Sequence, residues 1–341
     1  MSVRKLQFLA GLAISALALY AALRDVRWRD VADALEEADY ALVLAAAALL
    51  VLTVVLRALR WRLIIGPPGR PSLWHLFGCL NVAYFINNLL PFQLGDIGRA
   101  YLIGELSGIS VTRSLSTVVV ERVVDVLTLL LLLLALAPFM DLPGWVRAPA
   151  ISLAAVFAVL AAGLIAVSSR RELVLRLARV PLRLAPPPSR RKLEEMVGSG
   201  LDGLRVLADA RLAMRLLAVS VLVWLAAGVV VSLGLEAFDL DKGYDVALFL
   251  LIATTFGFFV PSSPGSVGVY HAIVIGALTS LFGVEKGAAV GFAFVMHFIF
   301  YLPPMVVAPF FLWRERAAWT GSGLQSKLRE LRGMPAPEAH P

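Results

Sequence analysis

The chain has 341 residues, of which 60% are hydrophobic and only 16% charged, and its mean hydropathy is +0.83. Soluble domains carry about 25% charged residues, so this composition excludes an ordinary soluble protein and points to an integral membrane protein. The single Cys79 excludes an internal disulfide, and His75, His271, His297 and His340 show no metal-ligand spacing, so no metal and no cofactor is expected.

A helix needs about 20 apolar residues to cross the ~30 Å hydrocarbon core of a bilayer. Stretches of that kind lie at 6–23, 40–57, 113–138, 149–168, 213–235 and 287–312. The first follows Arg4 and Lys5 and could pass for a secretory signal, with Ala16-Leu17-Ala18 as a poor cleavage site. The many similar stretches after it make it a retained span. Two more apolar regions, 73–109 and 245–282, are each interrupted near the middle. The interruptions share a skeleton, Pro-x-x-x-Gly-x-x-Gly, at Pro91, Gly95 and Gly98 and again at Pro261, Gly265 and Gly268, with Pro264 inside the second. All three positions are offset by 170 residues.

Lys and Arg accumulate in cytoplasmic loops. The segment after the second span carries Arg57, Arg60, Arg62 and Arg70 without an acid and is assigned to the cytoplasm. The basic 169–212 segment, read as short surface helices broken at Pro186-Pro187-Pro188 and at Gly198 to Gly203, is cytoplasmic as well, on anionic lipid. So is the tail with Arg314, Arg316, Lys327, Arg329 and Arg332. The acid-rich 24–39 and 236–245 segments fit the outer face. Counting crossings then gives 73–109 both ends inside and 245–282 both ends outside.

The expected fold is an all-α polytopic membrane protein. It has about six full transmembrane helices plus two oppositely oriented re-entrant helical hairpins, an inverted-topology repeat of the kind transporters use. The first repeat is 1–140, the second 141–312, and 313–341 is a cytoplasmic tail. The alternative is two pairs of short spans joined by Pro-kinked turns. Trp28, Trp61, Trp74, Trp145, Trp313 and Trp319 fall near span ends, as interfacial anchors do.

Glu121, Arg122 and Asp125 are the charges left well inside a span, with Glu121 about 14 Å deep for a helix that starts near 112. Glu121 and Asp125 share a face and Arg122 lies about 100° round from Glu121. Ionisable groups at that depth cost at least ~2.5–3.5 kcal/mol each and must pair or face a polar cavity. They are either a structural ion pair pinning the helix to a hairpin, or a head-group site in which Arg122 meets a phosphate and a carboxylate exchanges a proton. The first interrupted region offers Asn81, Tyr84 and Asn88 on one face, and then Asn87, Gln93, Asp96 and Arg99 at the break. The second offers Ser262, Ser263 and Ser266 with Gly265 and Gly268, followed by His271. Broken helices expose N–H groups that suit anionic oxygens, so these residues are candidates for substrate binding; equally, they could only satisfy irregular backbone in lipid. His297 and Tyr301, one turn apart, read as a core or interface pair.

Three ordered motifs carry a resemblance over nearly the whole chain: Asn87-Asn88-Leu89-Leu90-Pro91-x-x-x-Gly95-Asp96-x-x-Arg99, then Glu121-Arg122-x-x-Asp125, then Pro261-x-x-Pro264-Gly265-x-x-Gly268, with Arg60-Trp61 after the second span. The sequence resembles the flippase-like transmembrane region of lysylphosphatidylglycerol synthases, a family with stand-alone members. The resemblance implies movement of a lipid with a modified or glycosylated phosphate head between leaflets. The chain departs from the family pattern, which commonly has Arg at the position of Gln93 and Glu at those of Asp96 and His271. Only 28 of the 341 residues follow Trp313, too few for a soluble aminoacyl-transfer domain, so lipid aminoacylation is not expected.

The expected function is therefore translocation of an anionic or polyprenyl-phosphate-linked lipid across the cell membrane, without enzymatic chemistry, with both termini cytoplasmic. Two rivals stand beside it: a non-transporting membrane partner of a glycosyltransferase or lipid-synthesis enzyme, and an intramembrane enzyme acting on lipid-linked substrates. A homo-oligomer is left open. Nucleic acid is excluded as a partner, because aromatics are not interleaved with the basic segment.

Overall fold

The computed structural model describes residues 3–67, 71–90, 94–136, 138–140, 144–182, 187–258, 260 and 262–320, and among them it is all-helical, with no strand. Four helices lead in: α1 (Val3–Leu23), α2 (Trp28–Glu37), α3 (Tyr40–Ile65) and α4 (Leu73–Leu89). After the first break come α5 (Leu94–Ser107), α6 (Val111–Leu136) and α7 (Gly144–Ser169), then the polar α8 (Arg171–Leu182) and α9 (Pro187–Gly203). The second half continues with α10 (Ala210–Ala237), α11 (Tyr244–Gly257), a 3-10 turn at Pro264–Ser266, α12 (Val269–Ser280) and α13 (Lys286–Thr320).

Side-chain caps fix several of these starts by satisfying free N–H groups of the first turn. Asp39 Oδ1 accepts from the Ala41 and Leu42 amides at 2.8 and 3.3 Å, Ser72 Oγ from His75 at 3.1 Å, and Asp209 Oδ1 from Arg211 and Leu212 at 2.9 and 3.2 Å. Tyr40–Ile65, Ala210–Ala237 and Lys286–Glu315 are long and apolar enough to cross a membrane, and shorter apolar helices include Ala10–Leu23, Ala158–Ser169 and Tyr244–Gly257. Helix α6 has 26 residues, about 39 Å at 1.5 Å per residue, but carries Glu121, Arg122 and Asp125.

The packing exchanges the two halves. Helix α3 packs on α4 as α10 does on α11; α5 packs on α6 as α12 does on α13; α4 packs on α13 as α11 does on α6; and α3 meets α10 directly. Each of two apolar cores borrows the last long helix of the other half. Ala308 and Phe311 of α13 lie among Trp61, Leu76, Leu80 and Ile103, while Leu129, Leu133 and Leu136 of α6 lie among Trp224, Leu235, Leu248 and Val274. The ring of Phe311 fills the place a side chain at Gly78 would take. This mutual insertion buries the apolar faces of α6 and α13 that neither half could cover alone.

Four expectations are corrected. The second span does not end at 57: α3 runs to Ile65, so Arg57, Arg60 and Arg62 are helical rather than loop residues, and Arg60 is buried. Apolar neighbours continue on the inward face of that helix past Arg57, so the helix goes on where charge counting ended it. Trp61 is no interfacial anchor, being wholly buried in the first core, whereas Trp28 and Trp313 are exposed as expected. The side chains of Trp145 and Trp319 lie outside the described residues. The segment 24–39 is not a plain loop, since α2 occupies most of it and packs on α13. Finally, Gly198 to Gly203 do not interrupt the basic segment but belong to α9, which packs on α6, and Leu201, Leu204 and Val206 are buried. Pro186 and most of the 313–341 tail lie outside the described residues.

Candidate functional site

The three midspan charges of α6 organise a row of alternating sign built from three helices, α3, α5 and α6. Glu121 and Asp125 are one turn apart and both face Arg60 of α3. Arg60 forms a two-pronged ion pair with Asp125, through Nη1 to Oδ1 and Nη2 to Oδ2, the second at 3.1 Å. Its Nη2 also lies 3.3 Å from Glu121 Oε1, and Nη1 donates to Ser220 Oγ of α10 at 3.3 Å. On the other side Glu121 accepts from Arg99 Nη1 of α5 at 3.0 and 3.3 Å. Arg99 Nε lies 3.1 Å from Asp96 Oδ1. Asp96 in turn accepts from Arg122 Nε and Nη2, both at 2.9 Å. The row therefore reads Asp125, Arg60, Glu121, Arg99, Asp96, Arg122, with three cations against three carboxylates.

Two tryptophans wall it. Trp224 Nε1 donates to Asp125 Oδ1 at 2.9 Å while its ring carries the Arg57 guanidinium at 4.6 Å. Trp61 lies 4.9 Å from the Arg99 guanidinium carbon and donates from Nε1 to Thr117 Oγ1 at 2.9 Å. A cation desolvated against a ring face gains from the ring quadrupole, and these contacts compensate guanidinium nitrogens that lack an acceptor, such as Arg99 Nη2.

Exposure separates the two ends. The side chains of Arg60, Arg99, Glu121 and Asp125 are 0, 1, 2 and 5% exposed, whereas Asp96 is 16% and Arg122 39% exposed. Arg122 points away from Arg60 because it lies a third of a turn round α6 from Glu121. The Asp96–Arg122 pair is therefore the more accessible end of the row.

The first break is held from within. Asn87 Oδ1 of α4 accepts from the Gly95 amide at 2.8 Å, so the side chain caps the start of α5. A Cβ at Gly95 would collide with the Ala83 carbonyl, which is why a residue without a side chain stands there. That amide is thus occupied rather than free for a ligand. Asn88 takes part through its backbone, its carbonyl accepting from Tyr301 Oη of α13 at 2.5 Å. Asn81 is buried and donates to Phe77 O of its own helix at 2.9 Å. Gly98 lies within α5. Pro91, Gln93 and Pro261 lie outside the described residues.

The second break rests on α1. Ser15 Oγ accepts from the Ser263 amide at 2.7 Å, and a Cβ at Gly268, whose φ is 94°, would meet the Ser15 carbonyl. Ser262 and Ser266 hydroxyls bond each other at 3.2 Å, and Ser263 Oγ donates to Val267 O at 3.0 Å. Pro264 opens the 3-10 turn in which Gly265 has φ 67°. His271 Nδ1 accepts from the Gly268 amide at 3.4 Å. Its ring is stacked on His297, with centroids 4.8 Å apart. The serines of this break therefore bond local backbone and one another.

The structure thus brings Asp96, Arg99, Glu121, Arg122 and Asp125 together, and gathers Ser262, Ser263, Gly265, Gly268 and His271 elsewhere, at the second break. Helix α4 touches the 264–266 turn, so the two breaks adjoin. Sequence reasoning missed Arg60, Ser220 and Trp224 as members of the row. The signal for Arg60 was present: the midspan cluster of α6 sets two acids against one Arg, and a buried row needs further cations.

A family model described as the Lysylphosphatidylglycerol synthase TM region matches residues 8–308. The chain belongs to that family. This member of the lysylphosphatidylglycerol synthase TM region family is an all-helical, multi-helix membrane protein, and both breaks and the whole ionic row fall within the matched residues. It is 27% identical over 282 residues to a UPF0104 membrane protein of Methanothermobacter thermautotrophicus, a match covering 77% of this chain and 82% of that protein. It is also 33% identical over 127 residues to the Glycosyltransferase AglD of Haloferax volcanii, covering 37% of this chain but only 20% of that protein.

Proposed function

We propose that this protein moves a lipid with an anionic phosphate head, an anionic phospholipid or a polyprenyl-phosphate-linked lipid, between the leaflets of the cell membrane, without making or breaking a covalent bond. The observation that carries the reading is the Asp96–Arg122 pair. A guanidinium that donates two parallel bonds to a carboxylate offers the same fork to a phosphate. Here that fork is filled by an internal carboxylate at the open end of a row that is otherwise sealed. A head group reaching Arg122 displaces Asp96, and because Asp96 also touches Arg99, the exchange loosens α5 from α6. Family membership agrees with this reading.

The halves supply the movement. Helices α4, α5, α11 and α12 have 17, 14, 14 and 12 residues, about 26, 21, 21 and 18 Å at 1.5 Å per residue. Each is short of the ~30 Å core. Short paired helices meeting at a break in each half support two opposed re-entrant hairpins among about six full spans, with both termini cytoplasmic. The exchange symmetry of the packing fits an inverted repeat whose halves rock about the breaks. The lipid tails stay in the bilayer while the head group crosses beside α6.

A second reading draws on the match to a protein named as a glycosyltransferase: the chain serves as a non-transporting membrane partner of such an enzyme. The two separate in vesicles containing the purified protein. Transport requires leaflet exchange of a phosphate-headed lipid that falls at least about tenfold in Arg122→Ala, the loss expected for charge-assisted bonds of ~1.5–3 kcal/mol. A protein that stays folded and exchanges no such lipid supports the partner.

A further inference from the structure

Between α7 and α10 lies a stretch that the ionic row does not use. Helix α8 carries Leu173, Leu177 and Val180 at spacings of four and three, so they share one face. They are 46, 62 and 62% exposed. Another face, with Val174 and Leu175, packs towards the core around Trp61. The helix is thus apolar on two sides, and one of them has no protein cover among the described residues.

Position and charge say what covers it. Backbone bonds run on from α7 into α8, from Arg170 N to Ala166 O and from Val174 N to Arg170 O, both at 3.1 Å. The apolar stretch Ala158–Ser169 ends at this joint, so α8 starts where the hydrocarbon ends. It packs on α9 rather than projecting away, and a leucine stripe at that level meets the head-group region of the bilayer. From 170 to 192 the sequence has seven Arg and one Lys against the single acid Glu172. Arg170 and Arg176 have no carboxylate partner among the described residues. A surface hollow of about 440 Å³, lined by Ser169, Arg170, Arg171, Glu172 and Leu173, opens at the start of the helix. Leucines on one side with unpaired guanidinium groups beside them are the make-up of a helix that lies in the plane of an anionic membrane surface.

Direct contacts connect this helix to the row. Arg171 Nη2 lies 3.2 Å from Asp202 Oδ1 of α9, and Ser168 Oγ of α7 donates to Leu204 O at 2.7 Å. Between them Gly203 comes so close to α6 that a Cβ would collide with Ser116 Oγ and the Arg113 carbonyl. Arg113 Nη2 in turn donates to Ile65 O at 2.8 Å, where α3 ends. A shift of α9 therefore reaches both the helix that carries Glu121 and Arg122 and the helix that carries Arg60.

We infer that α8 docks on an anionic phospholipid surface and that this docking, passed through α9, sets the position of α6. Membrane charge then acts on the protein as an effector, separately from any lipid it carries. Composition alone makes the segment a basic surface; the structure adds one lipid-facing side and a route to α6. The inference stands apart from the reading of Arg122 as a phosphate site.

The test is hydrogen exchange of the full chain in nanodiscs of phosphatidylcholine, with and without phosphatidylserine, each variant being checked for folding by its thermal transition. One Arg near an anionic surface shifts the docked population about fivefold. Wild-type α8 amides are therefore expected to exchange at least about fivefold more slowly with phosphatidylserine, and the first turns of α6 to slow with them. Arg170→Gln/Arg176→Gln/Arg179→Gln is expected to lose both responses. Ser168→Ala/Asp202→Ala, which unties α9, keeps the response of α8 and loses that of α6. Arg122→Ala keeps both, because this lipid acts outside the row. Equal exchange of wild-type α8 in the two discs overturns the inference, and so does a response that survives the loss of the three arginines. A wild-type α6 that ignores phosphatidylserine while α8 responds, or one that still responds with α9 untied, overturns the route. Loss of the response in folded Arg122→Ala assigns the lipid to the row and overturns the effector role. A protein that moves no phosphate lipid defeats the reading of Arg122, and the same exchange rates still decide this one.

Discussion

Replacing Arg60 by Met removes the central cation of the row while keeping most of its volume. Asp125 then loses both prongs of its ion pair and keeps only the Trp224 bond at 2.9 Å, and Glu121 loses one of two cations. Breaking a buried pair from one side costs ~3–5 kcal/mol, because the stranded partner stays desolvated. Arg60→Met is therefore expected to lower thermal stability in detergent by about that amount. Adding Asp125→Leu removes the stranded charge as well, so the double variant is expected to be less destabilised than the sum of the singles, with a coupling of ~0.5–3 kcal/mol. The assay is a four-member cycle of unfolding transitions. A cost below ~1 kcal/mol for Arg60→Met, or strict additivity in the cycle, refutes the row as a buried, mutually dependent unit.

The other end of the row is expected to behave differently. Arg122→Ala removes the more exposed end of the row and leaves Asp96 its contact with Arg99 at 3.1 Å, so its effect on the thermal transition is expected to be smaller than that of Arg60→Met; a comparable loss would make Arg122 a structural residue. Gly268→Ala forces an L side chain to φ 94° against the Ser15 carbonyl. It is expected to cost ~1–3 kcal/mol from the backbone alone and to detach the second break from α1, measured as faster hydrogen exchange at the Ser263 amide. Unchanged protection there counts against α1 as the support of the break.

Much of the framework was legible in the sequence because membrane helices announce themselves by apolar length, and because both breaks repeat one Pro and Gly skeleton. The midspan charges of α6 were legible for the same reason, standing out against an apolar background. What the sequence hid was the identity of their partners. Arg60 sits where apolar length seemed to have run out, and loop-charge counting took it for a solvent residue. Only the tertiary contact with Asp125 shows that α3 continues and that its cation faces inward. Trp61 was obscured in the same way, since a tryptophan near a span end looks alike whether it meets lipid head groups or a buried guanidinium, and Trp224 reads as one more apolar residue in the middle of the 213–235 stretch. The serines of the second break read equally as a ligand cradle or as partners for irregular backbone, and their contacts with α1 and one another were not visible in the sequence.

The central claim is that a lipid phosphate takes the place of Asp96 on Arg122 and crosses the membrane. The most direct measurement is leaflet exchange of a fluorescent phosphate-headed lipid in vesicles, wild type beside Arg122→Ala at equal reconstitution, with a diacylglycerol of the same label as the uncharged control. The account predicts fast exchange of the phosphate lipid by wild type and a loss of at least about tenfold in the variant, with the control rate the same in both. Equal exchange of the phosphate lipid by the two proteins contradicts it.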